Sequence, residues 1–239
     1  MVVQPLKLGI LLTSAVVVVA TYVAWKIAIF SWDVEFTKWI QGFSLGEARL
    51  LRSWIFFMGV NGVAGVIMVI VFLALWLKAW RLEAIFLGLV SVPDLMNIWL
   101  RSVIGRPRPT LDLVDVVIGY GGVQGNGFPS GHALHVILFY GLLMYFAILY
   151  IPNLRLVRAI CAVWIIYILA TGLWLIYDGR HWLTGVMGGY LYGGLYLMCL
   201  IAAYRSAKKW IDMEEHIKLF SLLPTSIKKA TNYFLRLSG

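Results

Sequence analysis

The sequence predicts an all-α integral membrane protein, a bundle of six transmembrane helices with short interfacial helices. Composition is the first observation, because 62% of the 239 residues are hydrophobic and only 13% are charged, whereas soluble domains carry roughly 25% charged residues. The second is that the apolar residues gather in six runs, each near the roughly 20 residues that a helix needs to cross a bilayer. The third is the content of 11 Trp and 12 Tyr, which is typical of the aromatic belts at membrane interfaces.

A polar connection separates each predicted span from the next. The spans are Leu8–Phe30, Trp54–Leu77, Ala84–Leu100, Ala133–Ile151, Ala159–Tyr177 and Leu183–Ala203. Residues 31–53 mix aromatic and polar side chains, which predicts a short helix along the membrane interface. The last residues are basic and amphipathic. We therefore expect a membrane domain at residues 1–204 and a cytoplasmic tail at residues 205–239.

The basic residues, which give the chain a net charge of +9, are distributed as in a multi-pass membrane protein. With six spans, one side holds the basic tail together with Lys7, Lys78, Arg81, Arg155 and Arg158. Because positively charged loops stay in the cytoplasm, we expect both termini on the inner side of a bacterial plasma membrane. Residues 101–132 and 178–182 then share the outer, periplasmic face. The absence of a basic stripe on a soluble domain argues against nucleic-acid binding.

Three arginines follow the third predicted span within eight residues. Arg101 closes the span, and Arg106 and Arg108 alternate with Pro107 and Pro109, which hold the backbone extended and stiff. A guanidinium group offers paired N–H donors that suit phosphate oxygens. Flanking charge at a membrane edge is the alternative, but this is the outer edge, where the orientation rule predicts few arginines. The pattern favours a phosphate-binding loop.

A glycine-rich run ends in Pro129-Ser130-Gly131-His132, immediately before the fourth predicted span. Free N–H groups at the start of a helix suit an anion, and Gly131 permits its close approach. Ser130 is a candidate phosphate ligand, although capping the helix is an equally common use of serine. His132 is placed to give a proton to a leaving oxygen.

Asp94, Asn97 and Arg101 share one face of the third predicted span, since they lie at positions i, i+3 and i+7. A carboxylate inside the membrane costs about 3 kcal/mol on insertion scales, so we expect it to have a partner. Support for Arg101 and a hydrogen bond between helices are both open alternatives.

His181 lies between the fifth and sixth predicted spans, next to Trp182. A neutral imidazole is a competent nucleophile toward phosphorus when another group orients its second nitrogen. This makes His181 a candidate for covalent catalysis.

Together these residues resemble the type 2 phosphatidic acid phosphatase superfamily, which includes bacterial membrane lipid phosphatases. Its pattern is Lys-x6-Arg-Pro, then Pro-Ser-Gly-His, then Ser-Arg-x5-His-x3-Asp. The chain matches the first part at Arg101 and Arg108-Pro109, with arginine in place of lysine. It matches the second at residues 129–132 without change, and His181 stands at the histidine of the third.

The resemblance implies hydrolysis of a lipid phosphomonoester or pyrophosphate without a metal or other cofactor. His181 would attack phosphorus to form a phosphohistidine, and His132 would protonate the leaving group. The groups that would hold the phosphate oxygens are Arg101, Arg108, Ser130 and Gly131. Isoprenyl pyrophosphate, phosphatidylglycerophosphate and phosphatidate all remain candidate substrates, and the sequence leaves the oligomeric state open.

The third part of the pattern is degenerate in this chain. The family's Ser and Arg fall on Trp174 and Leu175, and its Asp falls on Gly185. Three charged groups near in sequence are candidates to compensate: Arg106, Asp178 and Arg180. The leading hypothesis is a lipid phosphatase, and the alternative is a weakened or inactive family member that binds or transports a phospholipid.

Overall fold

The computed structural model describes residues 3–43, 61–117 and 125–222. The regular secondary structure in these ranges is helical, apart from an isolated β-bridge between Pro107 and Asn126. The predicted all-α class is confirmed. Two compact units are present, Met1–Leu200 and one that begins at Ile201, and the site considered below lies within the first.

Eight helices are described, and we number them in chain order. They are α1 Val3–Lys26, α2 Ser31–Gln41, α3 Asn61–Leu77, α4 Arg81–Gly88, α5 Ser91–Ile104, α6 Gly131–Tyr150, α7 Leu154–Tyr177 and α8 Leu183–Leu222.

Five described segments are long and apolar enough to cross a membrane. They are Gln4–Lys26, Arg81–Ile104, Gly131–Tyr150, Leu154–Tyr177 and Leu183–Glu214. Helix α3 offers a shorter apolar stretch, Gly65–Leu77, and the start of the predicted second span at Trp54 lies outside the described residues. The multi-pass membrane class therefore holds, while the predicted count of six spans is not decided.

The predicted third span lies within Arg81–Ile104, one of the segments that could cross a membrane, and its helix is interrupted. Helices α4 and α5 are separated at Leu89 and Val90. Pro93 has no N–H to donate to the carbonyl of Leu89, and its ring crowds that carbonyl. Leu89 O instead accepts a hydrogen bond from Val92 N–H at 3.1 Å. Leu89 and Val90 keep right-handed helical backbone angles, so the interruption lies in the hydrogen bonding.

Helix α6 lies at the centre of the first unit. Its side chains at Ala133, Leu134, Leu138 and Leu142 are fully buried. Helix α8 packs closely against it, since a Cβ at Gly189 would lie 2.5 Å from Ser130 O and one at Gly193 would lie 2.7 Å from Leu134 O. The amino-terminal ends of α6 and α8 are therefore held side by side.

Helix α2 is the short helix predicted between the first two spans, and it packs on the core. Its Phe36 and Ile40 contact a buried cluster formed by Ala133, Leu175, Ile176 and Val186. At its end, Gln41 Nε2–H donates to Asp115 O at 2.7 Å and to Tyr177 O at 2.9 Å. Helix α2 thereby joins the loop after α5 to the end of α7.

Candidate active site

The two polar segments singled out in the sequence meet at one end of the first unit. Val117 N–H donates to Asp178 O at 3.0 Å. Gly179 ends α7 with φ +63°, and a Cβ there would lie 2.2 Å from Asp115 O, so only glycine fits at this crossing. This turn brings His181 next to the loops that precede α6.

His181 is almost fully enclosed, with 1% of its surface exposed. Its Nδ1 lies 2.9 Å from Gly127 O. A carbonyl only accepts hydrogen bonds, so Nδ1 carries the proton in the neutral ring and Nε2 has a free lone pair. Among the described residues Nε2 has no hydrogen-bond partner. The imidazole is thus held by one nitrogen and available at the other.

Burial keeps the His181 imidazole neutral. It lowers the pKa of His181 well below its usual value of 6.5, and the positive charge of Arg108 lowers it further. A neutral ring at physiological pH is the form that can act as a nucleophile.

Gly185 explains how a main-chain carbonyl reaches His181. A Cβ at residue 185 would lie 2.6 Å from Gly127 O and 3.7 Å from His181 Nδ1. The space that an aspartate would need is therefore filled by the Gly127 carbonyl. Gly127 is itself held from the other side, because its N–H donates to Arg106 O at 2.6 Å.

The guanidinium groups of Arg101, Arg108 and Arg180 gather around this point. Arg108 Nη1–H donates to Arg180 O at 3.4 Å. Burial lowers the pKa of Arg108, and the positive charges of Arg101 and Arg180 lower it further. The Nε atoms of Arg101 and Arg108 are buried without a hydrogen-bond partner among the described residues. Cations that repel one another and have unused donors favour an anionic ligand.

Ser130 and Gly131 form the start of α6. Ser130 Oγ accepts from Ala133 N–H at 3.4 Å, so the serine caps the helix. Among the described residues its own O–H has no acceptor, so this group can donate to a ligand. A Cβ at Gly131 would lie 4.0 Å from Arg101 Nη1. Gly131, Arg101 and His132 line the same cavity. The predicted phosphate ligands and the predicted acid are thus brought together.

The side chain of Arg106 binds groups outside the arginine cluster, although the sequence made it a candidate to compensate for the degenerate third motif. Its Nη2 donates to Asp33 Oδ2 at 2.8 Å with both side chains fully buried. Its Nη1 donates to Thr184 Oγ1 at 2.5 Å and its Nε to Ala28 O at 2.9 Å. All three nitrogens are engaged, so Arg106 ties the loop to α2 and α8.

Asp178 and Arg180 form an ion pair, with Arg180 Nε 3.5 Å from Asp178 Oδ2. Asp178 is fully buried, and it is the Gly127 carbonyl rather than this carboxylate that contacts the ring of His181. Arg180 contributes positive charge near Arg108.

Asp94 forms a hydrogen bond to a neighbouring helix, which is one of the two alternatives that the sequence left open for this carboxylate. Its Oδ2 lies 2.6 Å from Nδ1 of His135 on α6. His135 follows His132 by three residues and lines the same cavity.

Sequence reasoning gave no role in this region to Asp33, His135 or the carbonyl of Gly127. It named Asn97 but did not place this residue at a cavity. His135 had a usable signal, because it shares a helical face with His132. The Gly127 carbonyl had none, since a main-chain acceptor has no signature in the sequence.

The sequence model of the PAP2 superfamily matches residues 81–210. The chain belongs to this superfamily, the type 2 phosphatidic acid phosphatases that its motifs resemble. A transmembrane PAP2-type phosphatidylglycerolphosphate phosphatase from Bacillus subtilis has the same fold, with a TM-score of 0.72 at 18% identity over 82% of this chain and 96% of that one. No curated protein sequence matches the chain by direct comparison. Family membership supports a membrane-bound lipid phosphatase.

Proposed function

We propose that the protein hydrolyses a phosphate ester of a membrane lipid through a phosphohistidine at His181. The observation that carries the proposal is the buried Nε2 of His181, which has no described partner and lies beside the cationic group of Arg101, Arg108 and Arg180. The arrangement supplies a nucleophile and a place for the negative charge that it attacks.

In the first step, Nε2 of His181 forms a bond to phosphorus while the bond from phosphorus to the leaving oxygen breaks. Charge on the phosphoryl oxygens is stabilised by N–H and O–H donors of Arg101, Arg108, Ser130 and the Gly131 amide. His132 protonates the leaving oxygen. Water then attacks phosphorus and gives a proton to His132, the bond from phosphorus to Nε2 of His181 breaks, and inorganic phosphate is released. No metal takes part in this proposal.

The Gly127 carbonyl takes the positioning role that the family's pattern gives to an aspartate. It holds the proton on Nδ1 and so keeps Nε2 free, as a carboxylate does. A neutral carbonyl stabilises the developing positive charge of the ring less than a carboxylate. We therefore expect slower turnover than with an aspartate, but less loss than the roughly 10⁴-fold that follows when an orienting group enforces the wrong tautomer.

The alternative is a family member that binds or transports a phospholipid without efficient hydrolysis. It is favoured by the third motif, where a buried Leu175 with 2% exposure replaces an arginine. The phosphate then has one cationic contact fewer. The remaining arginines support anion binding in either case.

We further propose the orientation that the basic loops indicate. Both termini lie in the cytoplasm, and the site lies on the outer face of a bacterial plasma membrane. A lipid head group at the outer leaflet then reaches the site directly.

Phosphate release by the purified protein in detergent with EDTA tests the proposal. The substrates are phosphatidate, phosphatidylglycerophosphate and an isoprenyl pyrophosphate. Release of phosphate by the wild type but not by His181→Ala is expected, with an acid-labile phosphoenzyme as the trapped intermediate. His216→Ala, a histidine of the second unit, is the matched control. Lipid binding without release in the wild type would support the alternative, and equal release by His181→Ala would overturn the mechanism.

A further inference from the structure

A cavity of about 350 Å³ lies on the His132 side of the site, between α3, α5 and α6. The polar side chains of its lining are Ser91, Asp94, Asn97, Arg101, His132 and His135. The volume is in the range of small-ligand pockets, which hold a ligand by a few placed polar groups. Because His132 is the proposed acid, the group that it protonates leaves into this cavity.

Two atoms of the lining are buried hydrogen-bond acceptors without a described partner. His135 Nδ1 lies 2.6 Å from Asp94 Oδ2, so a neutral imidazole carries its proton there and has a bare lone pair on Nε2. That Nε2 is buried and unpartnered among the described residues, as is Oδ1 of Asn97. Asn97 is only 2% exposed, and an unpaired polar atom at such a place costs free energy until a ligand satisfies it.

Both of these atoms accept hydrogen bonds, and this property determines which ligand can satisfy them. An acceptor is satisfied by a donor, which a hydroxyl group provides. A second phosphate group has only acceptor oxygens when ionised, so it would leave both of these acceptors unpaired. Arg101, the cation of this lining, holds the scissile phosphate in the proposed mechanism. The cavity therefore fits a neutral, hydroxylated group better than a pyrophosphate.

We propose that the leaving group carries a free hydroxyl near the scissile oxygen, which donates to His135 Nε2 or Asn97 Oδ1. The substrate class is a lipid phosphomonoester with a polyol head group, and pyrophosphates are poor substrates. Asp94 is a positioning residue, since it fixes the tautomer of His135. The inference rests on the proposed phosphatase function.

A pair of lipids that differ by one hydroxyl tests the subsite. Lysophosphatidate has a hydroxyl beside the phosphorylated carbon, and its 2-deoxy analogue of equal chain length lacks it. We expect kcat/KM of the wild type to favour the first lipid by at least about tenfold, because the analogue leaves a buried acceptor unpaired. An isoprenyl pyrophosphate is expected to be cleaved more slowly than lysophosphatidate.

Variants separate recognition from catalysis. His135→Phe, which keeps a ring beside Phe139, is expected to bring the ratio of kcat/KM for the two lipids near one. Asn97→Leu is a second variant should the first fail to fold. Ile98→Val, an apolar residue of the same lining, is the matched control and keeps the wild-type ratio.

The outcomes distinguish this inference from the proposed function. Equal kcat/KM for the two lipids, or faster cleavage of the pyrophosphate, would overturn the subsite and leave the phosphatase function standing. If the wild type cleaves neither lipid, hydrolysis fails, and calorimetric binding of the same pair then decides the subsite. Weaker binding of the deoxy lipid supports it, and equal binding overturns it.

Discussion

Gly185 offers a direct test at the scale of the residue, because it stands where the family's pattern has an aspartate. We expect Gly185→Asp to lower kcat instead of restoring a triad, since its Cβ would lie 2.6 Å from Gly127 O and would displace the group that holds His181. A misplacement of about 1 Å can cost about 10²-fold in rate. Gly185→Ala is expected to act in the same direction.

The matched control is Gly194→Ala on the same helix, where a Cβ meets no atom within 4 Å. Steady-state phosphate release gives kcat. Imidazole ¹⁵N NMR of His181 reports whether the proton stays on Nδ1, which a purely structural defect would not alter. An increase in kcat with Gly185→Asp would contradict the assigned role of the Gly127 carbonyl.

Arg108 is expected to affect the titration of His181. Because its positive charge lowers the pKa of His181, Arg108→Gln should raise that pKa. Burial is the larger cause, so the pKa stays below 6.5. Protonated His181 cannot attack phosphorus, so the acid limb of kcat/KM that belongs to His181 moves to higher pH in the variant.

Histidine-selective NMR titration measures this pKa without relying on turnover. Arg155→Gln, an exposed arginine at the start of α7, is the control and is expected to leave the titration unchanged. A lower or unaltered pKa in Arg108→Gln would show that its charge does not reach the imidazole.

The residues that gather in the candidate site could be predicted from the sequence where the side-chain type makes them recognisable, and their catalytic roles stay predictions. Arg101, Arg108 and His132 were identified by type and spacing, and the structure brings them into one region with His181. The group that orients His181 could not be found, since a glycine at residue 185 indicates only a loss when its neighbours in space are unknown. The Gly127 carbonyl, which fills the space of the missing side chain, can be identified only in the three-dimensional structure.

At the scale of the element, the buried Asp33 joins three parts of the chain. Its Oδ2 accepts from Arg106 Nη2 at 2.8 Å and from Thr184 Oγ1 at 2.6 Å, and its Oδ1 accepts from Thr184 N–H at 2.9 Å. Asp33 therefore caps α8 from α2, next to the turn that carries His181. Nothing in the sequence linked an acidic residue of the short helix with an arginine 73 residues later.

Asp33→Ala is expected to destabilise the protein by about 3–5 kcal/mol, because it leaves the Arg106 charge buried and unpaired. Unfolding in detergent, followed by circular dichroism, measures the loss. Glu35→Ala removes an exposed carboxylate from the same helix and should stay within about 0.5 kcal/mol of the wild type. Asp33→Leu combined with Arg106→Met should recover part of the stability. Equal effects of the two alanine variants would mean that the pair contributes nothing.

Helix boundaries show a second limit of sequence reasoning at this scale. The apolar pattern of residues 84–100 is continuous, yet the hydrogen bonding of the helix is interrupted between α4 and α5, because Pro93 has no N–H to donate. The pattern of the last span ends at Ala203, whereas α8 continues to Leu222. Hydropathy indicates where a membrane is crossed, and backbone hydrogen bonding decides where a helix starts and ends.

At the scale of the whole molecule, hydropathy gave the membrane class because burial in lipid requires long apolar helices. It does not settle how many segments cross. The segment ending at Leu77 is described from Asn61 onward and offers only a short apolar stretch. If this segment crosses, four crossings separate Lys7 from Arg155 and both lie on one side; if it does not, they lie on opposite sides.

Cysteine labelling decides both the number of crossings and the orientation. In a Cys161→Ser, Cys199→Ser background, Lys7, Asp112 and Arg155 are replaced singly by cysteine, since all three are exposed. With six spans and cytoplasmic termini, a membrane-impermeant maleimide should label Asp112→Cys in intact cells. It should label Lys7→Cys and Arg155→Cys only after permeabilisation. If only one of Lys7→Cys and Arg155→Cys is labelled in intact cells, the two positions lie on opposite sides and one predicted crossing is absent. Labelling of Arg155→Cys but not Asp112→Cys in intact cells would reverse the orientation and place the site at the cytoplasmic leaflet, where it would meet a different pool of lipids.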